Sequence, residues 1–294
     1  MADPLDLPGV AVGVAGAVAY VSAARRVPGW APGRTTSWLV GTAALLLAVA
    51  GPPALGVEHD FFAHMASHLL LGMVAPLLLV LGAPVTLALR VLPVARARRL
   101  TRLLRRWPVR LLTEPAVAGV LDLGGLWLLY RTDLWQRAAH EPLLHVLVHV
   151  HVLLAGYLFT LSLVGPDPLP HRRSYVHRAA VLVLAGAAHA ILAKTLYVVP
   201  PAGVPVDRAE LGAILMYYGG DGVELVLAAL LCARWYRASR PRGVAPAGFR
   251  ASPPPSGRRG PAAAARSAAT APAPRRPGRR RPGPSNPAGW PARR

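Results

Sequence analysis

The sequence predicts an all-α, polytopic membrane helix bundle of about seven transmembrane helices, with the N-terminus outside and the C-terminus cytoplasmic. Three observations carry this expectation. The 294 residues are 53% hydrophobic, with a mean hydropathy of +0.38. The apolar residues come in long blocks, most near the ~20 residues that cross a ~30 Å hydrocarbon core as a helix. The connecting segments alternate between rich and poor in arginine, which is the asymmetry that orients membrane helices.

The blocks run in order over roughly 7–24, 37–56, 61–89, 113–130, 143–165, 176–199 and 210–235. The third is longer than a simple crossing requires, so it is expected to tilt or to begin above the membrane, with Pro76 and Pro84 bending it. The fourth is short and carries Asp122. Arg25, Arg26 and Arg34 follow the first span. A block from Arg90 to Arg110 follows the third, Arg172, Arg173 and Arg178 the fifth, and Arg234, Arg237 and Arg240 the seventh. The segment GVEHD before the third span has no arginine, and the 131–142 and 200–209 segments have few. The cationic side is therefore cytoplasmic, and the chain reads as a multi-pass protein of the plasma membrane.

Two domains are expected: a transmembrane helical domain over 1–239 and a disordered basic tail over 240–294. The tail holds thirteen arginines and no acid, is dominated by Pro, Gly, Ala and Arg, and shows no apolar periodicity. It reads as a solvated extension, or as a polybasic segment drawn to the anionic headgroups of the lipid bilayer. The formal charge of +20 comes from arginines in loops and tail, not from a folded basic face, so no nucleic-acid partner is expected. Cys232 is the sole cysteine, which excludes an intrachain disulfide and any multi-cysteine zinc or iron–sulfur site. MADPLD carries acids where a cleavable signal would carry positive charge. No nucleophile–base pair with an orienting third group is visible, and the chain is not expected to be an enzyme.

The histidines carry the chemistry. His64 and His68 open the third span, and His145 and His149 open the fifth. Each pair is spaced i, i+4, so both rings share one helix face. His189 lies in the outer half of the sixth span. Histidine is costly in lipid and is a common metal ligand, so His64, His68, His145, His149 and His189 are the candidate metal ligands. The competing reading is that these rings bond headgroups and loop carbonyls. His59, His140 and His151 read as peripheral, and His171 and His177 as cytoplasmic. Imidazoles suit copper, zinc or haem iron. Met65 and Met216 would add a thioether that favours Cu(I), and His68 with His149 could ligate a haem. Binding is expected to weaken below about pH 6, where free histidine protonates. Asp122, Asp221 and Glu224 form a proton or cation path, or are neutralised structural groups. Lys194 lacks the position and counter-ion pattern of a retinal-binding lysine. Gly72, Gly82, Gly124, Gly125, Gly219 and Gly220 read as close-packing points between helices.

The stretch HMASHLLLGMVAPLLLVLGAPVTLALR closely resembles the hallmark segment of the caa3-type CtaG family of cytochrome c oxidase assembly proteins. LLHVLVHVHVLLAGYLF and MYYGGDGVEL fit that family's later helices, and the resemblance covers roughly residues 37–235. It implies a polytopic protein that acts in maturation of haem–copper oxidases, with cytochrome c oxidase subunits as partners and copper as the metal handled. His64, His68, His145 and His149 occupy the matching positions, with His189 as an addition. The start of the seventh span departs from the pattern: Asp207, Arg208, Ala209 and Glu210 stand where an acid–glutamine pair is expected. The single-span, cysteine-dependent copper chaperone that shares the name CtaG is not resembled. Two other readings stay open: a transporter or ion-conducting protein using Asp122, Asp221, Glu224 and Lys194, and a haem-binding redox protein.

Overall fold

The computed structural model describes residues 6–51 and 60–240. The expected tail, His59 and most of GVEHD lie outside the described residues. Among the described residues the fold is all-helical, with no strand. α1 (Asp6–Arg25) and α2 (Pro32–Ala50) form a packed hairpin. α2 starts earlier than the hydropathy predicts because Pro32 sits in its first turn, where a missing N–H costs nothing.

The long third block is not one helix. It runs as α3 (Phe61–Leu69), a π-helical turn over Leu70–Val74, α4 (Ala75–Leu81) and α5 (Pro84–Val91). Pro76 has no N–H to give and its ring crowds the carbonyl four residues back, that of Gly72. The π turn absorbs this: the Ala75 N–H reaches back five residues to the Leu70 carbonyl. The Gly72 carbonyl then faces Gly156 of α10 (Pro142–Val164), and a Cβ at Gly156 would collide with it. At the second break Ala83 adopts a left-handed backbone, φ 54°, and Pro84 restarts the chain as α5.

The arginine block expected as a loop is helical. α6 (Val94–Leu104) and α7 (Trp107–Leu112) follow α5 and bury no residue. Their arginines alternate with Val94, Leu100, Leu103 and Leu104 at helical spacing, which is the amphipathic pattern of a surface helix. α8 (Pro115–Arg131) and a short α9 (Leu134–His140) lead into α10, and α11 (Tyr175–Val198) and α12 (Val206–Ser239) complete the bundle.

Five helical runs are long and apolar enough to cross a bilayer among the described residues: α2, the run Phe61–Val91, α10, α11 and α12. α1 is shorter over its described apolar stretch Gly9–Arg25, and α8 has 17 residues. Val120, Val183, Leu184 and Leu225 point outward, each about 70% exposed, which fits a lipid-facing surface rather than a watery one.

Two core clusters mark the ends of the bundle. At one, Phe61 and Met65 of α3 meet Tyr130 of α8, Leu196 of α11 and Ala209 of α12. At the other, Leu77 of α4 meets Ala118 of α8, Leu163 of α10 and Leu231 of α12. The starts of α3 and α12 thus pack with the ends of α8 and α11, so α3 and α12 run antiparallel to α8 and α11.

A polar knot closes the second end. Asp167, 2% exposed, accepts from the Val85 and Thr86 N–H groups at 3.2 and 2.7 Å and from Thr86 Oγ1 at 2.6 Å, capping α5 from across the bundle. Arg172 and Arg234 donate to the Gly165 carbonyl, and buried Arg178 donates to that of Leu163. These cations satisfy the last carbonyls of α10 and complement its dipole. Arg178, read from sequence as a loop charge, is therefore a structural group.

Gly156→Ala is expected to destabilise the detergent-solubilised protein by about 1–3 kcal/mol, because backbone rather than a pliable side chain blocks the new methyl. Gly16→Ala, where nothing lies within 4 Å of a new Cβ, is expected to leave the unfolding temperature unchanged or raised. Equal effects of the two would refute the close approach.

Candidate functional site

The site begins with where two helices start. Asp60 caps α3 by accepting from the Phe62 N–H at 3.1 Å, which fixes the helix phase and turns His64 and His68 to one side. Pro142 in the first turn of α10 does the same for His145 and His149. The four imidazoles then form one chain of rings. Centroids of His64 and His68 are 4.5 Å apart, His68 and His149 6.2 Å, and His149 and His145 4.2 Å. The i, i+4 pairs are therefore brought together across α3 and α10.

Hydrogen bonds set which ring nitrogen stays available. His149 Nδ1–H donates to the His145 carbonyl at 2.9 Å, leaving Nε2 with its lone pair. His64 Nε2 lies 3.0 Å from Tyr130 Oη, and that hydroxyl points on to Met65 Sδ at 3.8 Å. With His64 Nε2–H donating to Tyr130 and Tyr130 donating to Met65, the His64 Nδ1 lone pair is free. His64 Nδ1 is buried without a partner, and both ring nitrogens of His68 are too. Phe61, Tyr130 and Trp135 wall His64 on its other sides, with the Trp135 ring 4.3 Å away and edge-on.

His189 stands elsewhere. It is 3% exposed, and its Nδ1 lies 3.2 Å from Glu224 Oε1, at ion-pair distance but off the axis of a hydrogen bond. It shares with His68 a cavity of about 50 Å³ whose wall also includes Asp122, Glu224 and Tyr130. That is room for more than one water-sized particle. Asp221 is outside this wall, and Lys194 turns outward over the Tyr217 ring. His151 lies on another face of α10 and bonds the Leu121 carbonyl of α8 at 3.0 Å. His177 joins Arg173 on Glu114 at the other end of the bundle.

The donor set is mostly imidazole with one thioether, which matches copper better than calcium or magnesium. Among the described residues no group of three or more His, Cys, Asp or Glu side chains converges to hold a metal ion in this conformation. The orphaned nitrogens of His64 and His68 are the feature that calls for a ligand, since buried polar atoms are ordinarily paired. Tyr130 and Trp135 escaped the sequence reading, because nothing in the pattern around them marks the ring each one meets.

Fold and site define a multi-pass membrane protein built around a buried histidine cluster. The chain belongs to the cytochrome c oxidase caa3 assembly factor (Caa3_CtaG) family, which it matches over residues 17–238. It is 38% identical over 182 residues to an uncharacterized protein of Mycobacterium bovis and, equally, to one of Mycobacterium tuberculosis. Each match covers 59% of this chain and 27% of the relative. An uncharacterized protein of Mycobacterium leprae is 32% identical over 180 residues, with the same coverage. The chain thus spans about a quarter of the length of the curated relatives it matches. No solved structure matches it significantly.

Tyr130→Phe leaves the His64 Nε2–H buried without an acceptor. The expected cost is about 1–3 kcal/mol, read as a lowered unfolding temperature of the purified protein. An unchanged temperature would mean that water or another group takes over this bond.

Proposed function

We propose that this chain is a plasma-membrane assembly factor for a haem–copper cytochrome c oxidase and that it handles copper at His64, His68, His145 and His149. The observation that carries the reading is His68. Both of its ring nitrogens are buried without a partner, in the middle of a four-imidazole chain, in a member of an oxidase assembly family. Copper is cargo here, received by neutral imidazoles and passed to an oxidase subunit. Ring rotation of His64, His68 and His149 brings the free nitrogens together, with Met65 beside them. Tyr130 and the His145 carbonyl act as positioning groups that hold the tautomers.

The topology proposed is seven crossings, adding α1 and α8 to the five longer runs, with the N-terminus outside and the C-terminus in the cytoplasm. The alternation of arginine between successive connections supports it, as does the opposite direction of α3 and α12 to α8 and α11. The histidine cluster then opens toward the outside. The cavity on the His189 side of His68, about 50 Å³, is far below the roughly 300–1,000 Å³ of pockets that enclose larger organic ligands, which supports an ion over a haem on that side.

The test is metal content and an absorption spectrum on detergent-purified protein beside the His64→Ala/His68→Ala variant, with oxidase activity measured in cells carrying each. Near-stoichiometric copper that disappears in the variant, together with lost oxidase activity, is the expected result. Tyr130→Phe is expected to weaken copper binding ~10–100-fold. Copper binding and oxidase activity untouched by the double substitution would end the reading. A Soret band in the wild type would replace it with a haem protein.

A further inference from the structure

Near the middle of α11 and α12 each helix points one polar side chain at the other, and each is cut away to receive it. His189 of α11 lies against Gly220 of α12, where a Cβ would run into the imidazole. Glu224 of α12 lies against Gly186 of α11, where a Cβ would run into the carboxylate. The glycines are a reciprocal seat for a buried His–Glu pair, a more specific role than general close packing. The seat opens on the cavity that also receives Asp122 from α8. Among the described residues, neither Glu224 nor Asp122 pairs with an arginine or lysine. His189 Nδ1 is buried without a hydrogen-bond partner. Two carboxylates facing one largely apolar cavity with no fixed cation are costly to keep ionised.

We infer that His189, Glu224 and Asp122 form a second site, for a divalent first-row transition-metal cation, in the cavity that His68 also lines. A cation there compensates both carboxylates and takes the free imidazole lone pair. One imidazole with carboxylate oxygens suits a divalent ion, whereas the imidazoles and thioether of the histidine cluster favour Cu(I). The side chains do not converge in the present conformation. The site requires the Glu224 and Asp122 side chains to turn toward His189 within the cavity they line. The inference stands on the glycine seat and on two carboxylates that no arginine or lysine meets among the described residues. It does not rest on copper handling at His64 and His68.

The test is a Cu2+ titration of the full chain in nanodiscs, followed by equilibrium dialysis and by electron paramagnetic resonance, with Zn2+ as a second probe. Glu224→Gln and Asp122→Asn are each expected to weaken one Cu2+ equivalent at least ~10-fold and to remove its mixed nitrogen–oxygen signature, while Glu224→Asp retains it. His64→Ala/His68→Ala is expected to leave that equivalent in place, so failure of the histidine cluster is read separately. If Glu224→Gln fails to fold, Asp122→Asn and Glu224→Asp carry the test. Unchanged affinity and signature in folded Glu224→Gln or Asp122→Asn overturns the site. So does a wild type with no Cu2+ or Zn2+ equivalent that depends on these carboxylates, because the acids are then neutralised by protons alone.

Discussion

An apolar bundle offers its polar side chains no water to fall back on, so each calls for a partner group of the protein, on its own helix or on another. This constraint organises the molecule at three levels. Asp167 caps α5 from about eighty residues away in sequence, and Arg172 donates to its backbone carbonyl at 3.0 Å. Tyr130 reaches from α8 to His64 of α3. Glu224 reaches from α12 to ion-pair distance of His189 of α11, without a hydrogen bond. Each contact ties two helices that hydrophobic packing alone would leave free to slide. The rule is broken among the described residues at both nitrogens of His68, at one of His64, at Ser67 and at the indoles of Trp30 and Trp38, and of these residues His68 opens on the cavity. Violations of local consistency concentrate at functional sites.

The backbone breaks in the Phe61–Val91 run serve the same end. Pro76 forces the π turn, and the glycine at 156 lets the two backbones close on each other at Gly72. That close approach brings α3 within ring-to-ring reach of α10, so the His68–His149 contact depends on a proline eight residues downstream of the histidine. The left-handed Ala83 then turns the chain so that Asp167 can cap α5.

Much of this architecture was legible in the amino-acid order. Long apolar blocks announced helices because an unpaired backbone cannot be left in lipid. The two i, i+4 histidine pairs were legible because helical geometry alone puts them on one face. The arginine block after residue 90 was misread as a loop, although its leucines recur at helical spacing, because charge density masked the pattern. Tyr130 and Trp135 were not legible at all. Tyr130 stands at the end of α8 and Trp135 at the start of α9, and only the His64 ring that each meets identifies them as walls of a site.

The sequence by itself determined the helical class, the places where helices form and the faces on which the histidines stand. Those follow from local periodicity and from the cost of burying bare backbone. Only the tertiary structure decided which faces meet. It joined His68 to His149, separated His189 into a pair with Glu224, and turned Arg178 from a surface charge into a cap on α10. Such pairings depend on helix phase, on the kink at Pro76 and on glycines that clear space for a neighbour's side chain. These are properties of two surfaces at once, and no single stretch of chain encodes them.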